Sequence, residues 1–152
     1  MRKFIFIIAF LIPFLGYAND VKVNNVSVHL FLEKSGTFSK DITTMKEFLT
    51  HNFRPMGDSI PEGEIFHSYL IKIRFSSDEE VFSKGKVANV KVVNDKDNSV
   101  VIDQPITDVY IGPEKLLYKS IFVSGHECDF QTLVVRSKGK TISKKLPFHC
   151  GE

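Results

Sequence analysis

Residues 128–150 read CDFQTLVVRSKGKTISKKLPFHC. Two extended arms flank a polar turn, and a cysteine closes each open end. One arm is 130–136, rich in β-branched residues, and the other is 141–148. In the second arm Ile142, Leu146, Phe148 and Cys150 share one face, interrupted only by Lys144. Such period-two alternation marks a half-buried strand. Gly139 supplies the positive φ that a tight turn needs. A three-residue loop, Lys138 to Lys140, sets Ser137 against Thr141, Phe130 against Phe148 and Cys128 against Cys150. A two-residue loop shifts the register by one and sets Cys128 against His149. The stretch is a β-hairpin in either case.

The same pattern extends backwards through the chain. Val26 to Leu32 alternates, with Val26, Val28, Leu30 and Leu32 on one face and Ser27, His29 and Phe31 on the other. Phe66 to Phe75 places Tyr69, Ile71, Ile73 and Phe75 together, with Phe66, Leu70, Lys72 and Arg74 opposite. Val87 to Val93 turns Ala88, Val90 and Val92 inward. Asn94 to Asn98 reads as a hairpin turn, because Asn and Asp tolerate left-handed backbone. Val100 to Ile102 pairs back, and Pro105 marks that segment as an edge strand. Ser76 to Lys86 is polar and turn-like. Thr107 to Ile111 is a short extended piece, and Leu116 to Val123 is a further strand. Thr44-Met45-Lys46-Glu47 fits a capping box, which predicts one short helix over Thr44 to His51. Arg54 to Glu64, with Pro55, Gly57, Pro61 and Gly63, has loop composition.

Seven or eight short strands with at most one short helix predict an all-β domain, a small antiparallel two-sheet sandwich. A small closed β-barrel is the alternative. The strand spacing resembles that of immunoglobulin and fibronectin type III domains. The resemblance is one of architecture: the chain contains no Trp, and Cys128 and Cys150 lie too close in sequence for the usual inter-sheet bridge. The expected core includes Val28, Leu30, Ile71, Ile73, Val90, Val92, Phe130 and Phe148. Lys72, Lys91 and Lys145 are expected outside it.

Met1-Arg2-Lys3, the apolar run Phe4 to Leu15 and the small residues Gly16 and Ala18 form a secretory leader. The expectation is cleavage before Asn19, with residues 19–152 forming one domain in the periplasm or outside the cell. About 12 apolar residues are too few to span a bilayer comfortably, and no later run is long enough. The 20 basic residues exceed the 18 acidic ones by Arg2 and Lys3 alone. The processed chain is formally neutral, which argues against nucleic acid as a partner. In an oxidising compartment two cysteines predict one disulfide, Cys128–Cys150. Its closure stabilises by roughly 3 kcal/mol.

No phosphate loop, dinucleotide fingerprint, nucleophile elbow or zinc-protease helix is present, so no catalytic residue and no cofactor are assigned. Asp95, Asp97 and Asn98 are oxygen ligands but lack the glycine and distal glutamate of a calcium loop, so His126, Cys128, His149 and Cys150 form the one constellation of metal-ligating residues worth weighing. An oxidising compartment and the opposed directions of His149 and Cys150 on a strand favour the disulfide. Lys138, Lys140, Lys144 and Lys145 put positive charge on the hairpin, where lysines commonly discourage edge pairing; an acidic glycan or lipid headgroup is the functional alternative. The expected function is an exported, non-enzymatic module that binds a protein or an envelope polymer. A secreted inhibitor of a lysozyme or protease is the second reading, with Arg54, Met56 and Asp58 as candidate contact residues. A metal-binding periplasmic protein is the third.

Overall fold

The strand Lys22–Leu32, β1, buries Val26, Val28, Leu30 and Leu32 on one face, as its alternation requires. The structure is a computed structural model and describes residues 21–45, 48–57, 60–125 and 129–148. The remaining elements are β2 (Thr37–Phe38), β3 (Leu49–His51), β4 (Arg54–Met56), β5 (Ser68–Ser76), β6 (Val81–Asn94), β7 (Val100–Ile111), β8 (Leu116–Ser124), β9 (Gln131–Ser137) and β10 (Lys140–Leu146). One sheet has the order β2-β1-β5-β8, another β10-β9-β6-β7, and β3 and β4 form a two-stranded third. All pairings are antiparallel. The two four-stranded sheets are separately hydrogen-bonded and bury one shared apolar core, consistent with a sandwich. Among the described residues neither sheet closes on itself.

The inward faces of β5 and β6 carry Tyr69, Ile71, Ile73, Phe75, Ala88, Val90 and Val92, all buried. β7 is an edge strand, as Pro105 indicated. It is longer than its sequence suggested and includes the extended piece at Thr107 to Ile111. β6 likewise starts inside the segment read as a turn. The pairing is irregular between Ser83 and Lys86. There Gly85 (φ 78°) donates its N–H to Asp108 Oδ1 at 2.8 Å. Such bulges bend an edge and interrupt its ladder.

Other expectations fail. Among the described residues no α-helix lies within Thr44 to His51. A single 3₁₀ turn, Ile42–Thr44, is capped by Asp41, and Leu49–His51 is a strand. Asp41 Oδ1 accepts from the backbone N–H groups of Thr43 (3.1 Å) and of Val28 on β1 (3.0 Å). The cap is therefore tied to a strand rather than to a following helix. The terminal hairpin has the two-residue loop: Lys140 pairs with Ser137 and Leu146 with Gln131. Phe130 therefore does not pair with Phe148 as the three-residue loop would have it, while Cys128 and Cys150 lie outside the described residues. Gly139 does take positive φ, 66°. Phe130 lies outside β9 and is exposed, whereas Gln131 turns inward with Leu133 and Val135.

The core accommodates Gln131 because Tyr69 meets it. The Tyr69 hydroxyl, on β5, donates to Gln131 Oε1, on β9, at 2.9 Å, joining the two sheets through fully buried side chains. Phe148 lies against Tyr69 and Phe66, with ring centroids at 5.3 and 5.6 Å. Phe66, read as facing away from the core, is buried just ahead of β5.

Candidate functional site

The outer face of the β2-β1-β5-β8 sheet departs from what a solvated sheet face ordinarily carries, which is polar side chains. Register places Phe31 of β1 beside Phe38 of β2, and Leu70 of β5 between His29 of β1 and Phe122 of β8. The Phe31 ring lies 5.5 Å from Phe38 and 6.4 Å, edge-on, from Phe122. Phe38 and Phe122 are 49% and 53% exposed. Further along β8, the Lys72 ammonium sits 4.5 Å from the centre of the exposed Tyr118 ring. Aromatic surface therefore runs across the sheet rather than standing as isolated residues. Contiguous exposed apolar surface is characteristic of interaction sites.

His29 belongs to this face and has a defined tautomer. Its Nδ1 is 2.9 Å from the Ser39 carbonyl, which only accepts, so Nδ1 carries the proton. In the neutral ring Nε2, 2.9 Å from Ser27 Oγ, then accepts from the hydroxyl. Ser27 and His29 share a face by the period of two. The pair lies on an open sheet face and fixes the ring beside the aromatic strip.

The segment containing Arg54, Met56 and Asp58 is a small ribbon rather than an irregular loop. β3 and β4 pair Leu49 with Met56, Thr50 with Pro55 and His51 with Arg54. Thr50 and Pro55 face the domain, and the Thr50 hydroxyl donates to the Pro147 carbonyl at 3.4 Å. Leu49 and Met56 face solvent, both more than half exposed, with Arg54 exposed beside them. Asn52 and Phe53 turn the ribbon with φ of 46° and 60°. For a bulky side chain this left-handed backbone is unfavourable. Phe53 is held there by its neighbours: its ring lies 4.9 Å from His67 and 6.4 Å from Phe66, and its carbonyl accepts from Phe66 N–H at 3.0 Å. Behind the ribbon a groove of about 400 Å³ is lined by residues 54–57 and 60–63. Asp58 lies outside the described residues.

The four hairpin lysines separate into two groups. Lys138 and Lys140 flank Gly139 at the turn. Lys144 and Lys145 lie toward the other end, where Lys145 pairs with Asp95 at 2.7 Å. That ammonium, with the Thr132 hydroxyl, holds the Asp95 carboxyl below the usual carboxylate range. The Asn94–Asn98 segment is the turn its sequence indicated. Asn94 Oδ1 accepts from Lys96 N–H and Asp97 Oδ1 from Ser99 N–H, both at 2.8 Å, so these oxygens serve the turn.

His126, Cys128, His149 and Cys150 lie outside the described residues. Among the described residues, no group of three or more His, Cys, Asp or Glu is placed to hold a metal, and no helix is long and apolar enough to cross a membrane. Compared with known proteins, the chain matches no family model and no curated sequence.

Proposed function

We propose that this protein is an exported, non-enzymatic β-sandwich module that binds a protein or polymer partner in the periplasm or outside the cell. The observation that carries the reading is the ring strip Phe38–Phe31–Phe122 on the solvent face of the first sheet. Covering rings that are half exposed gains roughly 25 cal/mol per Å² of apolar area, and aromatic residues are preferred anchors at interfaces. The leader sequence supports export.

The finer fold assignment is immunoglobulin or fibronectin III-like. It is supported by strand order. With β1, β5, β6, β7, β8, β9 and β10 taken as A, B, C, C′, E, F and G, the sheets read A-B-E and G-F-C-C′. Those are the neighbours of the immunoglobulin-type sandwich. The inserted β3–β4 ribbon lies between A and B.

Phe38→Ser/Phe122→Ser changes only residues on the wet face. The variant should keep the thermal stability of the wild type. With both proteins as bait against envelope extract, a component retained by the wild type should be lost by the variant. Equal retention by both would refute the assignment of this face. Concentration-dependent mass in sedimentation, abolished by the same changes, would identify the partner as a second copy.

The inhibitor reading is favoured by a different observation, the exposed Leu49 and Met56 side by side on a ribbon anchored through Phe53. It requires that Leu49→Ser/Met56→Ser abolish inhibition of a lysozyme or protease that the wild type inhibits.

A further inference from the structure

We propose that the end of the domain where the β9–β10 turn meets the start of β1 is a binding site for an acidic oligosaccharide. It is a different surface from the aromatic face and does not depend on it.

The charge there is segregated in a chain whose processed form is formally neutral. Two grooves, of about 340 and 230 Å³, share Ser137 and Lys138 in their walls. The first is bordered by Lys86 and Arg136, the second by Lys140, and among the described residues no carboxylate lines either. Among the described residues, no acidic side chain is within ion-pairing distance of Lys86, Arg136 or Lys138. Lys22, on the far rim, is by contrast paired with Asp78 at 2.9 Å. Lys140 Nζ donates to the Val23 carbonyl at 2.9 Å, which orients its charge over the second groove without neutralising it.

The shape and the remaining polar groups narrow the ligand. Two grooves joined through one lysine fit a chain carrying successive anionic groups better than a single ion. Arg136 can engage a carboxylate or sulfate through two N–H groups, and the lysines act as point charges. Asn24 and Asn89 also line the walls. Each spends its amide N–H₂ internally, on Ser76 Oγ (2.7 Å) and on Asp103 Oδ1 (2.7 Å) respectively. Each keeps a side-chain carbonyl oxygen, the acceptor that a sugar hydroxyl requires. Among the described residues no aromatic ring lines either groove, so they provide no base stacking, the usual means of holding single-stranded nucleic acid.

The test is calorimetric titration of the exported protein with a heparin-derived hexasaccharide and with polygalacturonate oligomers. Binding should weaken as salt rises, because it depends on exposed charge. Lys86→Ala/Arg136→Ala/Lys138→Ala should weaken it at least tenfold. Lys34→Ala/Lys119→Ala/Lys144→Ala removes equal charge elsewhere and should change it less than twofold. Phe38→Ser/Phe122→Ser should bind the oligosaccharide like the wild type, which separates this site from the aromatic face. Should the groove triple variant fail to fold, Lys138→Ala at the exposed turn carries the test with an expected loss of threefold or more. Equal loss in both triple variants would overturn the proposal, as would no binding of either oligosaccharide. Equally tight binding of inorganic phosphate would reduce the site to a single-anion site. Binding only to phosphatidylglycerol vesicles would assign the basic end to a membrane surface instead.

Discussion

Tyr69→Phe removes one oxygen from the centre of the molecule and nothing else. Tyr69 and Gln131 are both fully buried, and their 2.9 Å hydrogen bond spans from one sheet to the other. The ring stays, so its contact with Phe148 at 5.3 Å is retained. What is lost is the donor to Gln131 Oε1. Withdrawing one partner from a buried hydrogen bond costs about 1–3 kcal/mol, because the other remains desolvated. For a domain of this size that corresponds to a fall in Tm of about 3–5 °C per kcal/mol. Gln131→Met keeps approximate volume and removes the acceptor, so it should cost a similar amount. The double variant removes both partners of this hydrogen bond, and its loss should fall short of the sum of the single losses by on the order of 1 kcal/mol. Urea unfolding followed by far-UV circular dichroism measures all three. Additive losses, or a Tyr69→Phe variant within about 0.3 kcal/mol of the wild type, would refute the inter-sheet coupling.

Burial raises the Tyr69 hydroxyl above its ordinary pKa of 10.0. The folded state therefore keeps a proton that the unfolded state releases, and stability should be lost as pH rises above about 10; Tyr69→Phe should show a shallower alkaline limb than the wild type in pH-dependent melting. The Asp95 carboxyl is held low first by Lys145 and then by Thr132. Its contribution is present above the unfolded carboxylate pKa and is lost as pH falls through the folded one, so Asp95→Asn should flatten the stability profile below about pH 4. Ile73→Asp should abolish folding, since it puts an unpaired charge between the sheets, whereas Lys72→Asp on the opposite face should cost less than about 1.5 kcal/mol in thermal unfolding, most of it from the lost contact with Tyr118. Non-reducing peptide mapping of exported protein should find Cys128 linked to Cys150, and Cys150→Ala should destabilise by about 2–5 kcal/mol.

The faces of the central strands were legible in the sequence because each carries an unbroken period of two. Val28 and Leu30, Ile71 and Ile73, and Val90 and Val92 are all buried as that period demands. Lys72 and Lys91 are half-buried on the opposite faces, and Lys145 is exposed. The failures have separate physical causes. Thr44-Met45-Lys46-Glu47 satisfies a local capping rule, but Asp41 takes the cap and spends the same oxygen on Val28 N–H of β1. A tertiary contact thus outweighs a local propensity. Phe130 was assigned to the core through the length of the hairpin loop. One residue fewer in the loop changes the register, and the pleat of β9 turns Gln131 inward instead. No hydropathy argument favours a buried glutamine; only the opposing Tyr69 hydroxyl makes it acceptable, and that residue belongs to the other sheet.

The surfaces were less legible than the core for a related reason. Alternation specifies which face a side chain occupies but not which strand lies beside it. Phe31 was already assigned away from the core with Ser27 and His29, yet a single outward phenylalanine carries little meaning, since isolated apolar residues are common on protein surfaces. It becomes part of a strip only when β2 brings Phe38 to one side and β5 and β8 bring Leu70 and Phe122 to the other. The lysines show the converse. Lys138, Lys140, Lys144 and Lys145 form one basic run in the sequence, but strand direction carries Lys145 to Asp95 and leaves Lys138 among Lys86 and Arg136. Proximity along the chain therefore overstated one charged surface, and distance along it concealed another. Lys86 and Lys138 meet because β6 and β9 pair with Ala88 opposite Ser137, a register fixed by the buried Val90, Val92, Leu133 and Val135. The core thereby determines which cations share a groove.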